Sequence, residues 1–275
     1  MDFKNTKFSF EIFPPKKNSA AIDSVYGTID ELAGLKPDFI SVTYGAGGSI
    51  INNKTVELAS YIKNKKGISS LSHLTCINSV KDDIDLILTE LKKNNIRKIL
   101  ALRGDKSPEF KNARDFSYAV ELIKYIKSKG DFEIYGACYP EGHLEADTLM
   151  ADIEALKIKV DAGVCELISQ LFFDNEVYFR FLEKAEKSGV NVPVNAGIMP
   201  VTNVNSILRM TVMCGASVPR ELMKILNKYQ HNEEDMKKAG IDYSVKQIQN
   251  LIDNGIYGIH LYTMNNPEVA KAIIL

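Results

Sequence analysis

The sequence predicts an α/β fold, a single eight-stranded (β/α)8 barrel of the TIM type. Three observations carry that expectation. Eight short segments are rich in β-branched and aromatic residues, longer segments of helical period lie between them, and no Pro/Gly/Ser-rich linker or low-complexity tract interrupts the alternation. At 275 residues the chain has the length of one such barrel around one core, so residues 1–275 are expected to form a single catalytic domain.

The strands are expected at Lys7–Phe13, Asp38–Thr43, Ser69–Thr75, Lys98–Leu102, Glu133–Cys138, Glu166–Phe172, Val192–Ala196 and Gly258–Tyr262. Between the first two, Ala20–Leu35 repeats Ile22, Val25, Ile29 and Leu32 at helical spacing, which makes one buried stripe. Gly34 then weakens the helix and Pro37 precedes the next strand. Ser117–Ser128 and Thr148–Ala162 repeat the pattern. Before the last strand the rhythm changes: Val204–Asn254 holds at least three helical stretches, separated by Gly215, Pro219 and Gly240. These read as extra helices ahead of the eighth strand.

Composition narrows the function classes. A formal net charge of -1 gives no electrostatic footprint for nucleic acid, and no apolar run approaches the roughly 20 residues that span a bilayer. Met1-Asp2-Phe3-Lys4 runs straight into a strand without the order of a signal peptide, so a cytoplasmic location is expected. Cys76, Cys138, Cys165 and Cys214 are widely spaced, which points to reduced structural thiols instead of a disulfide framework or a CxxC metal site. His73, His143, His231 and His260 form no metal-ligand spacing with a carboxylate. The lysine runs Lys63–Lys66 and Lys127–Lys129 fall at helix ends, where cations complement the dipole.

Barrel enzymes build their sites at the carboxyl ends of the strands. Six successive strands here deliver polar groups to those ends: Glu11 in the first, Thr43-Tyr44 followed by Gly45-Ala46-Gly47-Gly48 in the second, His73 in the third, Arg103-Gly104-Asp105 in the fourth, Tyr139-Pro140-Glu141-Gly142-His143 in the fifth and Gln170 in the sixth. Each alone has a structural reading: Glu11 as an edge residue paired with a lysine, His73 as a satisfied core histidine, Arg103 and Asp105 as a loop ion pair. The opposite strand ends carry ordinary turn residues such as Lys36-Pro37 and Asn94-Asn95.

At these residues the chain resembles the methylenetetrahydrofolate reductase family. The matching stretches are FSFEIFPPK (residues 8–16), PDFISVTYGAGG (37–48), HLTC (73–76), ALRGD (101–105), YPEGH (139–143), KVDAG (159–163) and QLFFD (170–174), in the family's order. The resemblance implies a barrel that holds flavin without a Rossmann fingerprint. It assigns Thr43, Tyr44, Ala46, His73, Arg103, Gly104, Asp105, Tyr118, Ala119, Tyr139, His143, Asp152 and Lys159 to the flavin, expected to be FAD with FMN as the alternative. Asp152 and Lys159, seven apart, share a helix face.

The implied reaction reduces 5,10-methylenetetrahydrofolate to 5-methyltetrahydrofolate, or runs in reverse. Glu11 is the expected general acid, desolvated by Phe10 and Ile12; Asp105 is the expected ionised carboxylate that stabilises an iminium cation and binds the pterin with Gln170. Val204 stands where the family usually has a phenylalanine that packs on nicotinamide or folate, with Met199 or Phe172 as candidates to fill the gap. Asn266 stands where an arginine is frequent near the folate tail, and Ala155 and Ile158 replace polar or basic residues on the flavin helix. NADH, NADPH or a partner redox subunit is therefore the expected electron donor, and the chain is expected to form a homo-oligomer or a complex with that partner. The alternatives are a pterin-binding methyltransferase barrel without flavin and a cofactor-holding subunit of a larger redox complex.

Overall fold

A computed structural model describes residues 3, 5–15, 20–44, 54–105 and 115–275. The order of elements is β1 (Lys7–Ile12), α1 (Ala20–Ala33), β2 (Phe39–Val42), α2 (Lys54–Ser60) with one wider π-type turn (Tyr61–Lys65), β3 (Ser69–Thr75), α3 (Lys81–Lys93), β4 (Lys98–Leu102), α4 (Ala119–Ser128), β5 (Glu133–Cys138), α5 (Leu149–Asp161), β6 (Val164–Ser169), α6 (Asn175–Lys187), β7 (Val194–Ile198), α7 (Val204–Cys214), α8 (Arg220–Tyr229), α9 (Glu233–Asp253), β8 (Gly258–Tyr262) and α10 (Pro267–Ile274). The strands follow one another in sequence order and close into a barrel. Pairing is parallel from β1 to β5 and between β7 and β8. The extra helices α7, α8 and α9 precede β8 as expected.

Beyond shifts of one or two residues at the ends of β1, β2 and several helices, three departures from the sequence reading have local reasons. β6 starts at Val164, directly after Gly163 (φ 119°) ends the preceding helix, and it stops at Ser169. The apolar run beyond Ser169 is not more strand, because Leu171 and Phe173 leave for a core cluster with Met199, Val201 and Ile207. β7 starts after Pro193, which has no N–H for the ladder, and ends at Ile198. Gly240 does not separate helices: it lies inside α9, and a Cβ there would stand 1.5 Å from the carbonyl oxygen of Val201. The real break falls at Asn232, whose side chain accepts a hydrogen bond from the Asp235 N–H and caps α9.

Contacts divide the chain into two compact units. The first comprises Ser9–Ala137 and Ile158–Leu167. Its helix ends carry the lysine runs, with Lys66 paired to Asp30 and Lys129 to Asp85, both at 2.7 Å. The second comprises Met1–Phe8, Cys138–Lys157 and Ile168–Leu275. There Phe172 stacks on Tyr178 at 4.7 Å, while Phe173 belongs to the cluster against which Val204 packs. All four cysteines are free thiols; Cys76 and Cys138 are buried and Cys165 is exposed. Among the described residues no helix is long and apolar enough to cross a membrane.

Candidate active site

In the first unit, β1 presents Glu11 and β3 presents His73, each close to the end of its strand. These strands are separated by β2, so their side chains can meet only on the concave side of the sheet. There His73 Nε2 lies 3.5 Å from Glu11 Oε2, and His73 is buried. Successive strand residues face opposite sides. Phe10 and Ile12, both fully buried, therefore pack behind β1, and the group Glu11 meets is His73.

The end of β4 is fixed by its backbone. The Arg103 carbonyl accepts hydrogen bonds from the N–H groups of Cys76 and Ile77, at 3.2 and 2.8 Å. Gly104 turns the chain at φ 82°, and a Cβ on it would lie 2.9 Å from Thr75 Cβ, so glycine suits both the angle and the space. Half-buried Arg103 donates from Nε to the Gly104 carbonyl at 3.3 Å. Asp105 is exposed, and its carbonyl accepts from Asn78 Nδ2. Thr43 continues the β1–β2 ladder through its N–H to the Ile12 carbonyl. Burial and then the Asp83 carboxylate raise the Tyr44 phenol above its ordinary value. Exposed Tyr118 caps α4, and its carbonyl accepts from Cys76 Sγ, while Ala119 opens the helix. Lys159 donates to the Ala137 carbonyl at 2.8 Å. Ala46 lies outside the described residues.

In the second unit the loop after β5 is tied into a compact knot. The Gly142 N–H donates to the Tyr139 carbonyl, the Ala146 N–H to the His143 carbonyl, and the Tyr139 and His143 rings meet edge to face at 4.8 Å. His143 Nδ1 accepts the Glu145 N–H at 3.0 Å, which leaves Nε2 as the donor nitrogen of the neutral ring. Asp152 accepts the His143 N–H at 3.2 Å. The shared helix face expected for Asp152 and Lys159 thus serves two different backbone partners.

Gln170 follows the end of β6 and its N–H donates to the Cys138 carbonyl at 2.7 Å. Its side chain curls back, with Oε1 accepting the Leu171 N–H at 2.8 Å. Ser169 Oγ donates to the Gln170 carbonyl and accepts the Gly197 N–H, at 3.0 and 2.9 Å. Tyr262, at the end of β8, donates its hydroxyl to the Ser169 carbonyl at 2.6 Å. Ser169, Gly197 and Tyr262 escaped the sequence reading. Applying the strand-end rule to the seventh and eighth strands would have found the last two.

Two departures from the family pattern have structural counterparts. Val204 is the first residue of α7 and packs against the core cluster that contains Phe173 and Met199, while Phe172 stacks on Tyr178. Asn266 caps α10, its Oδ1 accepting the Val269 N–H at 3.2 Å. Ile158 is exposed on α5.

The family model described as methylenetetrahydrofolate reductase matches residues 1–275. The chain is 36% identical over 265 residues to the 5,10-methylenetetrahydrofolate reductase of Escherichia coli strain K12, covering 96% of this chain and 88% of that protein. It is 36% identical over 285 residues to methylenetetrahydrofolate reductase (NADH) 1 of Arabidopsis thaliana, covering 98% of this chain but spanning only about half, 48%, of the plant protein. Among solved structures, an uncharacterized Clostridium thermocellum protein that binds two copies of 5-methyl-5,6,7,8-tetrahydrofolic acid shares the fold, with a TM-score of 0.66, 16% identity and coverage of 98% of this chain and 93% of that one. With the match running through every strand end described above, the chain belongs to the methylenetetrahydrofolate reductase family.

Proposed function

We propose that this chain binds FAD and reduces 5,10-methylenetetrahydrofolate to 5-methyltetrahydrofolate, a reaction that can also run in reverse. The observation that carries the reading is the meeting of Glu11 and His73 at 3.5 Å on the concave side of the strands, in a chain of this family. Neither a methyl-transferring barrel nor a passive cofactor holder needs a carboxyl group held against an imidazole there.

The residues present fit a flavin. Its diphosphate calls for cations and hydrogen-bond donors, which Arg103, Lys159 and a histidine can supply, while Thr43 and Tyr44 suit ribityl and ring contacts and Gly104 removes a side chain from the turn. Asp105, Tyr118 and Ala119 complete the first unit's assignment, Tyr139, His143 and Asp152 carry the same family role in the second, and Ala46 adds a position outside the described residues. When bound and reduced, the flavin supplies the hydride. Glu11 gives a proton from its carboxyl to a nitrogen of the folate's five-membered ring, which opens it to an iminium cation. His73, beside Oε2, is placed to restore that proton. Exposed Asp105 faces the developing positive charge as a carboxylate, and Gln170 binds the pterin. NADH or NADPH is the electron donor, or a partner redox subunit takes that place, since Val204 supplies less surface for nicotinamide than a phenylalanine would.

One spectrum tests the central claim. Purified protein should be yellow, and its flavin bands should bleach anaerobically on addition of 5-methyltetrahydrofolate. A colourless protein that cannot be loaded with FAD would overturn it and favour the methyltransferase reading, and loaded flavin that stays oxidised would favour the cofactor-holding subunit.

A further inference from the structure

We propose that Tyr262, acting through Ser169, is a positioning residue that fixes Gln170 as a hydrogen-bond donor toward the folate. The inference rests on the reading of Gln170 as a folate contact. It follows from the polar groups of three consecutive residues. The Ser169 carbonyl accepts the Tyr262 hydroxyl at 2.6 Å, the Gln170 N–H donates to Cys138, the Gln170 carbonyl accepts Ser169 Oγ, and the Leu171 N–H donates to Gln170 Oε1. A peptide run held at each of these points has little freedom to rotate.

The side-chain bond to Leu171 also sets chemistry. A carboxamide offers an acceptor oxygen and a donor NH2. Here Oε1 already accepts the Leu171 N–H, which orients the amide and leaves the Nε2 hydrogens to meet a ligand. The ligand atom they take must then be an acceptor, and a reduced pterin offers one in its ring carbonyl.

Gly197 shows that the Tyr262–Ser169 contact shapes its surroundings. A Cβ at Gly197 would stand 2.1 Å from the Ser169 carbonyl oxygen and 2.7 Å from the Tyr262 hydroxyl. The space a side chain would need is filled by this hydrogen bond. The Gly197 N–H in turn holds Ser169 Oγ at 2.9 Å, so the ends of β6, β7 and β8 converge on one peptide. The Tyr262 ring is steadied by the edge of His260 at 5.5 Å, and it packs against the cluster of Leu171 and Phe173.

The test is a double-mutant cycle on flavin-loaded protein, with tetrahydrofolate as the probe because it carries no one-carbon unit to transfer. Tyr262→Phe removes only the hydroxyl and should raise the calorimetric Kd for tetrahydrofolate by about fivefold, the size of one ordinary hydrogen bond. Flavin retention and flavin reduction by dithionite should not change. In a Gln170→Ala background the same substitution should shift Kd by less than about twofold, because the group it positions is gone. Ser169→Ala should repeat the pattern and guards against a folding defect peculiar to Tyr262→Phe. Equal shifts in both backgrounds, or loss of flavin on removing the hydroxyl, would show a general structural role and overturn the inference alone. Wild-type protein that holds flavin but binds no tetrahydrofolate would overturn the functional reading and this inference with it.

Discussion

Two glutamates of the first unit, Glu11 and Glu166, sit on strands beside a ring that can hydrogen-bond, and they have opposite characters. Glu166, third in β6, accepts the Tyr135 hydroxyl at 3.1 Å, and Lys98 Nζ approaches the same hydroxyl at 3.4 Å. These residues lie toward the beginnings of their strands. Glu11 and His73 lie toward the ends of theirs. Burial, and then the Glu166 charge, hold the Tyr135 phenol well above its ordinary value, so that ring keeps its proton throughout the physiological range. An imidazole is the side chain whose ordinary titration falls near neutrality. The same arrangement of carboxyl and ring is thus a fixed brace at one end of the strands and, on the function proposed above, a proton-donating pair at the other, and the partner's chemistry makes the difference.

The sharpest way to break this contrast is Glu11→Gln. Folate turnover should fall by about 100-fold or more, the usual size of general-acid catalysis, while flavin content and reduction by an artificial donor stay at wild-type levels. Stopped-flow measurement of the two half-reactions separates these outcomes, and equal losses in both would make Glu11 a brace like Glu166. Tyr135→Phe should do the reverse. Loss of the donor to Glu166 should cost about 1–2 kcal/mol of stability, read as a lower denaturation midpoint, with turnover little changed.

This stability has a definite pH range. A phenol whose folded pKa is raised contributes stability fully present below its unfolded value, near 10, and lost as pH rises toward the folded value. Chemical denaturation from pH 8 to 11 should therefore show a constant gap between wild type and Tyr135→Phe that narrows only above about pH 10. A gap that narrows near neutrality would place another group in control. The smallest effect belongs to the exposed neighbour: Glu133→Gln breaks a 3.8 Å pair with Lys98 and should change stability by less than about 0.5 kcal/mol, within the scatter of replicate melts.

Residue patterns made the barrel legible because alternation of strand and helix is a property of every segment and survives errors at individual ends. β3, β4, β5 and β8 coincide with the sequence reading to the residue, since turn residues flank them on both sides. β6 does not, because continued hydrophobicity past Ser169 serves a core cluster and leaves no mark that distinguishes it from strand. In the site, strand-end positions brought Glu11 and His73 into view separately. Their contact follows from the order and register of β1, β2 and β3, and no spacing in the sequence contains it. The orientation of the Gln170 amide was hidden for a similar reason, since only the path of the chain shows its oxygen returning to Leu171.

Gly240 has a consequence for anyone who would improve this protein. A glycine in the middle of a 21-residue helix is among the first positions a stabilisation campaign would change to alanine, for an expected gain of about 0.5–1 kcal/mol. At this position the gain would change sign, because the added methyl would have to displace the Val201 carbonyl, three residues before the start of α7. The helix has traded intrinsic stability for proximity, and a substitution that propensity scales reward would be felt in the loop leaving β7, where the family ordinarily keeps its aromatic ring.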